Sequence, residues 1–138
     1  MRKTVDEKLH DTLEKRLFDA GPMGPEAFYS IAIQLASGLE AAHQRNVIHR
    51  DLKPANVKVD ASGSVKILDF GLARAYTGEP QDGDDLANSP TISVAMTQAG
   101  VILGTAAYMS PEQAKGKAVD QRSDIWSFGV LVFEMLSG

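Results

Sequence analysis

The stretch His49-Arg50-Asp51-Leu52-Lys53-Pro54-Ala55-Asn56 concentrates residue types that handle anions and protons. A carboxylate at Asp51 is followed by an ammonium at Lys53 and an amide at Asn56. Further on, Asp69-Phe70-Gly71 adds a second carboxylate. Carboxylate and amide oxygens are hard donors of the kind magnesium takes. A lysine can neutralise negative charge as it develops in a reaction. Two more clusters follow: Gly104-Thr105 with Ser110-Pro111-Glu112, then Asp124-Ile125-Trp126-Ser127-Phe128-Gly129. Each residue alone has a bland reading. Asp51 would be an ordinary loop aspartate that bonds nearby amides. Lys53 would be a surface lysine, Asn56 a turn residue and Asp69 a strand-end cap.

Regular elements must carry these turns. Pro25 suits the first turn of a helix, because its missing N–H has no partner there. Phe28, Ile31, Leu35, Leu39 and Ala42 line one face of that helix, which the pattern predicts to run to about His43. Ile33 and Ala36 widen the stripe and predict deep burial. Val57 and Val59 alternate with Lys58, and Val65 and Ile67 alternate with Lys66. Asp60-Ala61-Ser62-Gly63 between them predicts a hairpin turn. Asp69 then stands just beyond the second hairpin strand, and Asn56 just before the first. A final helix is predicted from near Ser123 or Asp124 through Trp126, Val130, Val132, Phe133 and Leu136. An earlier one is predicted from Thr4, which forms a capping box with Glu7. Its apolar stripe is Val5, Leu9, Leu13 and Leu17, and Ala20-Gly21-Pro22 closes it. From about Gly71 to Ile102 periodicity is weak, which marks a functional or disordered loop. Asp82, Asp84 and Asp85 within it lack the spacing of a calcium loop.

The four clusters, in this order and spacing, resemble the protein-kinase signature set. They are similar in particular to bacterial-type (eukaryotic-like) serine/threonine kinases. The resemblance covers nearly the whole chain, from the helix before the catalytic loop to the central helix of the large lobe. It implies an α+β, protein-kinase-like fold: a partial large lobe, mostly helical, with a short β-hairpin carrying the catalytic and metal-binding loops. It divides residues 1–138 into a catalytic loop at 49–56, an activation segment at 69–112 and the start of the central helix at 123–138. No Gly-rich loop, strand lysine or helix glutamate precedes these elements, so the small lobe is expected to be absent.

The resemblance also implies chemistry. ATP and Mg²⁺ (or Mn²⁺) are the expected cofactors, and a protein serine or threonine hydroxyl the expected acceptor. Asp51 matches the catalytic aspartate that orients that hydroxyl. Lys53 matches the lysine that marks the serine/threonine branch and faces the transferred phosphate. Asn56 and Asp69 match the metal ligands. Arg50 matches the arginine that a phosphorylated activation segment pairs with. The expected phosphate acceptor is Thr97, ahead of Thr91 and Ser93. Thr105 matches the threonine that bonds the catalytic aspartate and lysine beside the substrate-peptide pocket. His49, Glu112 and Asp124 match supporting residues. For Glu112 the partner would be an arginine beyond Gly138. His10 and His43 are expected at the surface. Ser110 replaces the commoner alanine, as in many bacterial-type members.

Composition narrows the remaining choices. The chain has 138 residues, a formal net charge of −4 and no cysteine. Such mild acidity gives no ground for a nucleic-acid partner. Absence of cysteine excludes disulfides and thiolate metal sites, and makes the cytosol the default location. No apolar run approaches the roughly 18 residues of a membrane span. Without the small lobe, this chain alone is expected to be weakly active or inactive. An alternative is a non-catalytic kinase-like module that binds partners, with self-association through an exposed apolar face. A small-molecule phosphotransferase is a third reading, disfavoured by Lys53-Pro54 and by the segment from Gly104 to Glu112.

Overall fold

The structure, a computed structural model, describes residues 10–70 and 105–138. Thr12 stops a short strand and starts a helix. Its hydroxyl accepts from the Lys15 amide at 3.2 Å, satisfying one of the free N–H groups of the first turn. Helix α1 (Leu13–Ala20) follows and ends at Gly21, whose φ of 71° suits a residue without Cβ. Strand β1 (His10–Thr12) precedes it. This corrects the expected helix from Thr4, since residues 10–12 are extended and the cap is Thr12. The first nine residues lie outside those described.

Helix α2 (Pro25–His43) has Pro25 in its first turn, as the sequence predicts. Ile31, Leu35 and Leu39 recur every fourth residue and are buried. Ile33 and Ala36 do not widen that stripe: Ile33 is 64% exposed and Ala36 is exposed as well. Ile33 sits well round the helix from Leu35 and Leu39, and Ala36 lines an open groove with Leu39, Ile125 and Phe128.

Strands β2 (Val57–Asp60) and β3 (Val65–Ile67) form the predicted hairpin. The Asp60 carboxylate accepts from the Ser62 amide, the Ser62 hydroxyl and the Ser64 amide at 2.6 to 2.9 Å, which locks the turn. Strand β1 adds to it, giving an antiparallel sheet in the order β1-β2-β3. The sheet thus has one strand more than the expected hairpin. Two side chains weld helices to this sheet. Arg16 of α1 donates to the carbonyls of Val59 and Asp60. Gln34 of α2 donates to the Gly63 carbonyl at 2.9 Å and accepts from the Val65 amide at 3.0 Å. Gly38 permits the close approach of α2 and β3, because a Cβ there would stand 3.0 Å from Ile67 Cδ1.

Near the other end, Pro111–Ala114 forms a single-turn helix, α3, capped by Ser110. Helix α4 (Gln121–Ser137) begins with Asp120 as its cap, its side chain accepting from the Arg122 amide at 2.9 Å. The start therefore lies before the predicted Ser123. Val132 and Phe128 pack at the margin of the core, while Trp126, Phe133 and Leu136 are exposed and Leu131 and Met135 are buried.

The core gathers Leu13 and Leu17 of α1, Ile31, Leu35 and Leu39 of α2, Val57 and Val59 of β2, and Leu131 and Met135 of α4. Leu52, between Asp51 and Lys53, joins them with no exposed surface. Among the described residues, no helix is long and apolar enough to cross a membrane.

Candidate active site

The loop between α2 and β2 is anchored by alternation. His49, Leu52, Pro54 and Asn56 point inward, while Arg50, Asp51, Lys53 and Ala55 stay partly exposed. Burying Leu52 fixes the chain while leaving its polar neighbours at the surface. The Asp51 and Lys53 side chains retain 45% and 24% exposure, with Lys53 Nζ 3.5 Å from Asp51 Oδ2. Asn56 ends a 3₁₀ turn over Pro54–Asn56 and donates from Nδ2 to the Asp51 carbonyl at 2.8 Å. The same amide lies 3.4 Å from Asp51 Oδ2, a weaker contact.

Asp69 is joined to this loop through its neighbour. The Leu68 amide donates to the Asn56 carbonyl at 2.8 Å. The Leu68 carbonyl accepts from His49 Nε2 at 2.7 Å. His49 Nδ1 in turn accepts from the Asp51 amide at 3.2 Å, so the ring hydrogen resides on Nε2. Phe70 closes on the His49 ring edge-on, with centroids 4.6 Å apart. One buried histidine therefore ties Asp51 to the residue preceding Asp69. Asp69 itself is exposed with φ of 67°.

Asp124 holds the loop from the opposite side. It sits in the first turn of α4 with its side chain 1% exposed. Oδ2 accepts from the His49 amide at 2.8 Å, and Oδ1 from the Arg50 amide at 2.8 Å. His43 Nε2 donates to Oδ2 at 2.7 Å. These three donors and the positive end of the α4 dipole offset the burial of a charge. Arg50 has φ of 71°, a left-handed conformation costly for a residue with a Cβ. Such strain persists only where surrounding contacts enforce it.

The third side is the segment before α4. The Tyr108 hydroxyl donates to the Glu134 carboxylate, and the Tyr108 carbonyl accepts from Ser127 Oγ at 2.6 Å. Burial, then the Glu134 bond, pushes the phenol above the ordinary tyrosine range. Tyr108 and Met109 line a small cleft with Arg50, Asp51 and Leu52. Ser110 and Ser123 are fully buried and bonded to each other at 3.1 Å. Ser123 donates onward to Glu112 Oε1 at 2.6 Å, which holds that carboxyl below the usual range. Glu112 is half-buried and paired within this chain to Ser123.

Taken together, these contacts bring Asp51, Lys53 and Asn56 into one cluster. They seat Asp69 one residue from it and place Arg50, His49 and Asp124 beneath it. Thr91, Ser93, Thr97 and the Asp82–Asp85 acidic stretch lie outside the described residues, as does the Thr105 side chain. Residues 105–108 form a 3₁₀ turn. Two residues escaped the sequence reading. His43 was expected at the surface, yet its side chain is only 12% exposed and binds Asp124. Gln113 donates from Nε2 to the Arg50 carbonyl at 2.6 Å. The Ser110-x-x-Gln113 spacing of a capping box carried half of that signal.

Residues 3–138 match the family model of the protein kinase domain. The chain belongs to the protein kinase family. Serine/threonine-protein kinase PknL of Mycobacterium tuberculosis (strain ATCC 25618 / H37Rv) is 42% identical over 127 residues, which span 92% of this chain and 28% of PknL. Serine/threonine-protein kinase PknB of Mycobacterium leprae (strain TN) is 39% identical over the same length, or 18% of PknB. The chain thus covers less than a third of either kinase. Kinase chemistry calls for a divalent cation, and the donor set suits one. Asn56 Oδ1 and the Asp69 carboxylate accept no hydrogen bond from the described residues, while Asn56 Nδ2 is committed to Asp51. Magnesium commonly takes only one or two protein oxygens, the rest coming from phosphate and water. Among the described residues no group of three or more His, Cys, Asp or Glu side chains forms a denser metal cage.

Proposed function

We propose that this kinase segment serves transfer of the γ-phosphate of ATP to a serine or threonine hydroxyl of a protein. The observation that carries it is the cluster of Asp51, Lys53 and Asn56 on a loop whose backbone Asp124 holds by two amides. Phosphoryl transfer depends on positioning and charge neutralisation, which a rigid loop with exposed charges supplies. The Asp51 carboxylate accepts the hydrogen of the acceptor hydroxyl and orients its oxygen. Lys53 stands beside it to stabilise charge on the phosphoryl oxygens. Asn56 and Asp69 would hold Mg²⁺, which neutralises phosphate charge when bound. Lys53, two residues after the base, favours Ser/Thr over tyrosine acceptors. Thr105 borders the substrate peptide. Arg50 receives the phosphate of Thr97 when the activation segment is modified. A chain without cysteine supports a cytosolic site of action.

A non-catalytic binding role draws on the exposed Tyr29 and Ile33 of α2 and the exposed Phe133 and Leu136 of α4, apolar side chains suited to a partner or to self-association. One assay separates the readings. The natural full-length protein, with Mg·ATP and a Ser/Thr peptide, should transfer phosphate. Asp51→Asn should lower kcat by about 10²- to 10⁴-fold, the usual contribution of a positioned base. Equal turnover by both proteins would sink the kinase reading.

A further inference from the structure

We propose that Gln113 is a positioning residue that locks the peptide between Arg50 and Asp51 to the segment bearing Ser110 and Glu112. The inference rests on the kinase reading above for its effect on turnover. Gln113 uses both ends of its amide. Oε1 accepts from the Ser110 amide at 3.0 Å, and the Gln113 amide nitrogen of the backbone donates to Ser110 Oγ at 3.3 Å. That is a capping box at the start of α3. Nε2 then reaches 63 residues back in sequence to the Arg50 carbonyl at 2.6 Å.

The carbonyl it grips belongs to a residue already under strain. Arg50 is left-handed, and its amide is held by Asp124 Oδ1. The peptide joining Arg50 to Asp51 is therefore pinned by its oxygen to Gln113 and by its N–H to His49 Nδ1. Rotation of that plane would swing the Asp51 side chain away from Lys53. Two separate elements, α3 and α4, hold the two sides of Arg50. A change in the position of α3 thus transmits directly to the residue that orients the acceptor hydroxyl.

Chemistry explains why the residue is glutamine. A capping box needs only an acceptor at this position, and glutamate serves equally well. Only an amide both accepts from the Ser110 N–H and donates to the Arg50 carbonyl. Gln113→Glu therefore keeps the cap while placing a carboxylate against a carbonyl oxygen. Gln113→Ala removes both bonds.

The test uses both variants in the natural full-length protein, with steady-state kinetics and amide hydrogen exchange. For Gln113→Glu the expected result is a kcat lower by about tenfold, the scale of one hydrogen bond lost in a positioned site. KM for ATP stays within about twofold, the Asp51 amide exchanges faster, and the amides of Ala114 and Lys115 keep their protection. Gln113→Ala loses α3 protection as well. The proposal is overturned if Gln113→Glu leaves kcat and Asp51 exchange unchanged. It is equally overturned if Ala114 and Lys115 lose protection as fully as in Gln113→Ala, since the effect is then local unfolding. Should the unsubstituted protein transfer no phosphate, the kinase reading fails, and Asp51 exchange alone decides the role of Gln113.

Discussion

Replacing Asp124 with asparagine tests how the catalytic loop is held. Asparagine matches the shape of aspartate but turns one of its two oxygens into an NH₂ donor. Oδ2 accepts from the His49 amide at 2.8 Å and from His43 Nε2 at 2.7 Å, and Oδ1 from the Arg50 amide at 2.8 Å, so the NH₂ faces the fewest donors when it meets the Arg50 amide. A hydrogen bond to a charged acceptor contributes about 1.5–3 kcal/mol, and the remaining bond falls to the neutral scale of about 1 kcal/mol. The gross loss is therefore about 2–5 kcal/mol. Part of it returns, because Arg50 at φ of 71° can relax once its amide is released, recovering about 1–2 kcal/mol. At mid-range the net cost is about 2 kcal/mol, close to a 30-fold shift in the equilibrium for loop opening. Amide hydrogen exchange at His49 and Arg50 reads that equilibrium. Asp124→Asn should speed both amides by roughly that factor while the Leu35 amide of α2 changes little. Adding Arg50→Gly removes the Cβ that makes the conformation costly. In that background nothing returns on relaxation, so the Asp124→Asn effect should grow by about tenfold. Unchanged protection at His49 and Arg50 in Asp124→Asn would show that the loop is held by burial of Leu52 and Pro54, and that the two amide bonds contribute nothing measurable.

Two further outcomes follow from the packing and the charges. Gln34→Ala cuts both bonds between α2 and the hairpin turn, leaving the Gly63 carbonyl and the Val65 amide to water. It should lower unfolding free energy by about 1–2 kcal/mol in denaturant titration, and no loss would place the hairpin's support in Arg16 alone. Glu112 has its carboxyl depressed chiefly by the Ser123 hydroxyl, then by its own backbone amide. A depressed carboxyl stabilises the fold above its unfolded value and loses that contribution as pH falls through the folded one. Protection of the α3 amides should therefore decline below about pH 4.5, the ordinary glutamate range, and Ser123→Ala should flatten that decline. An identical profile in Ser123→Ala would remove Ser123 as the cause.

Much of this architecture was legible in the residues, for identifiable reasons. Helix α2 has a proline start and a run of apolar residues spaced by four, both local signals, and it runs to His43 as expected. Hairpin strands β2 and β3 follow from alternation around Asp60-Ala61-Ser62-Gly63. Strand β1 left no trace, because three residues show no periodicity and their partner is β2, remote in sequence. Periodicity also says which residues share a face and not which face is covered. Ile33 extends the apolar pattern but is 64% exposed, and Ala36 is left in an open groove beside Ile125 and Phe128 of α4. The grouping of Asp51, Lys53 and Asn56 was legible because they lie within six residues of one another in the chain. His43 and Gln113 were hidden, since each acts on a group 81 or 63 residues away. Nothing local distinguishes them from a helix-end histidine and a surface amide.

A site of this kind faces a conflict between exposure and precision. Asp51 and Lys53 must remain open to a ligand, so their side chains cannot be fixed by burial. The fold resolves this by holding the backbone on either side of them. Leu52 and Pro54 are sunk into the core between and beyond the exposed pair. Asp124 takes two amides, His49 takes the Asp51 amide and the Leu68 carbonyl, and Asn56 takes the Asp51 carbonyl. Each of these supporting side chains is at least nine-tenths buried, where a hydrogen bond is less diluted by water. The strained residue lies at the centre of these contacts. Arg50 has a left-handed backbone, and its amide and carbonyl are both occupied, by α4 and by α3. Were the loop relaxed, either bond could be lost with little movement. Because it is strained, loss of either releases a conformational change next to Asp51, which makes the carboxylate proposed to orient the acceptor hydroxyl sensitive to the helices that flank it.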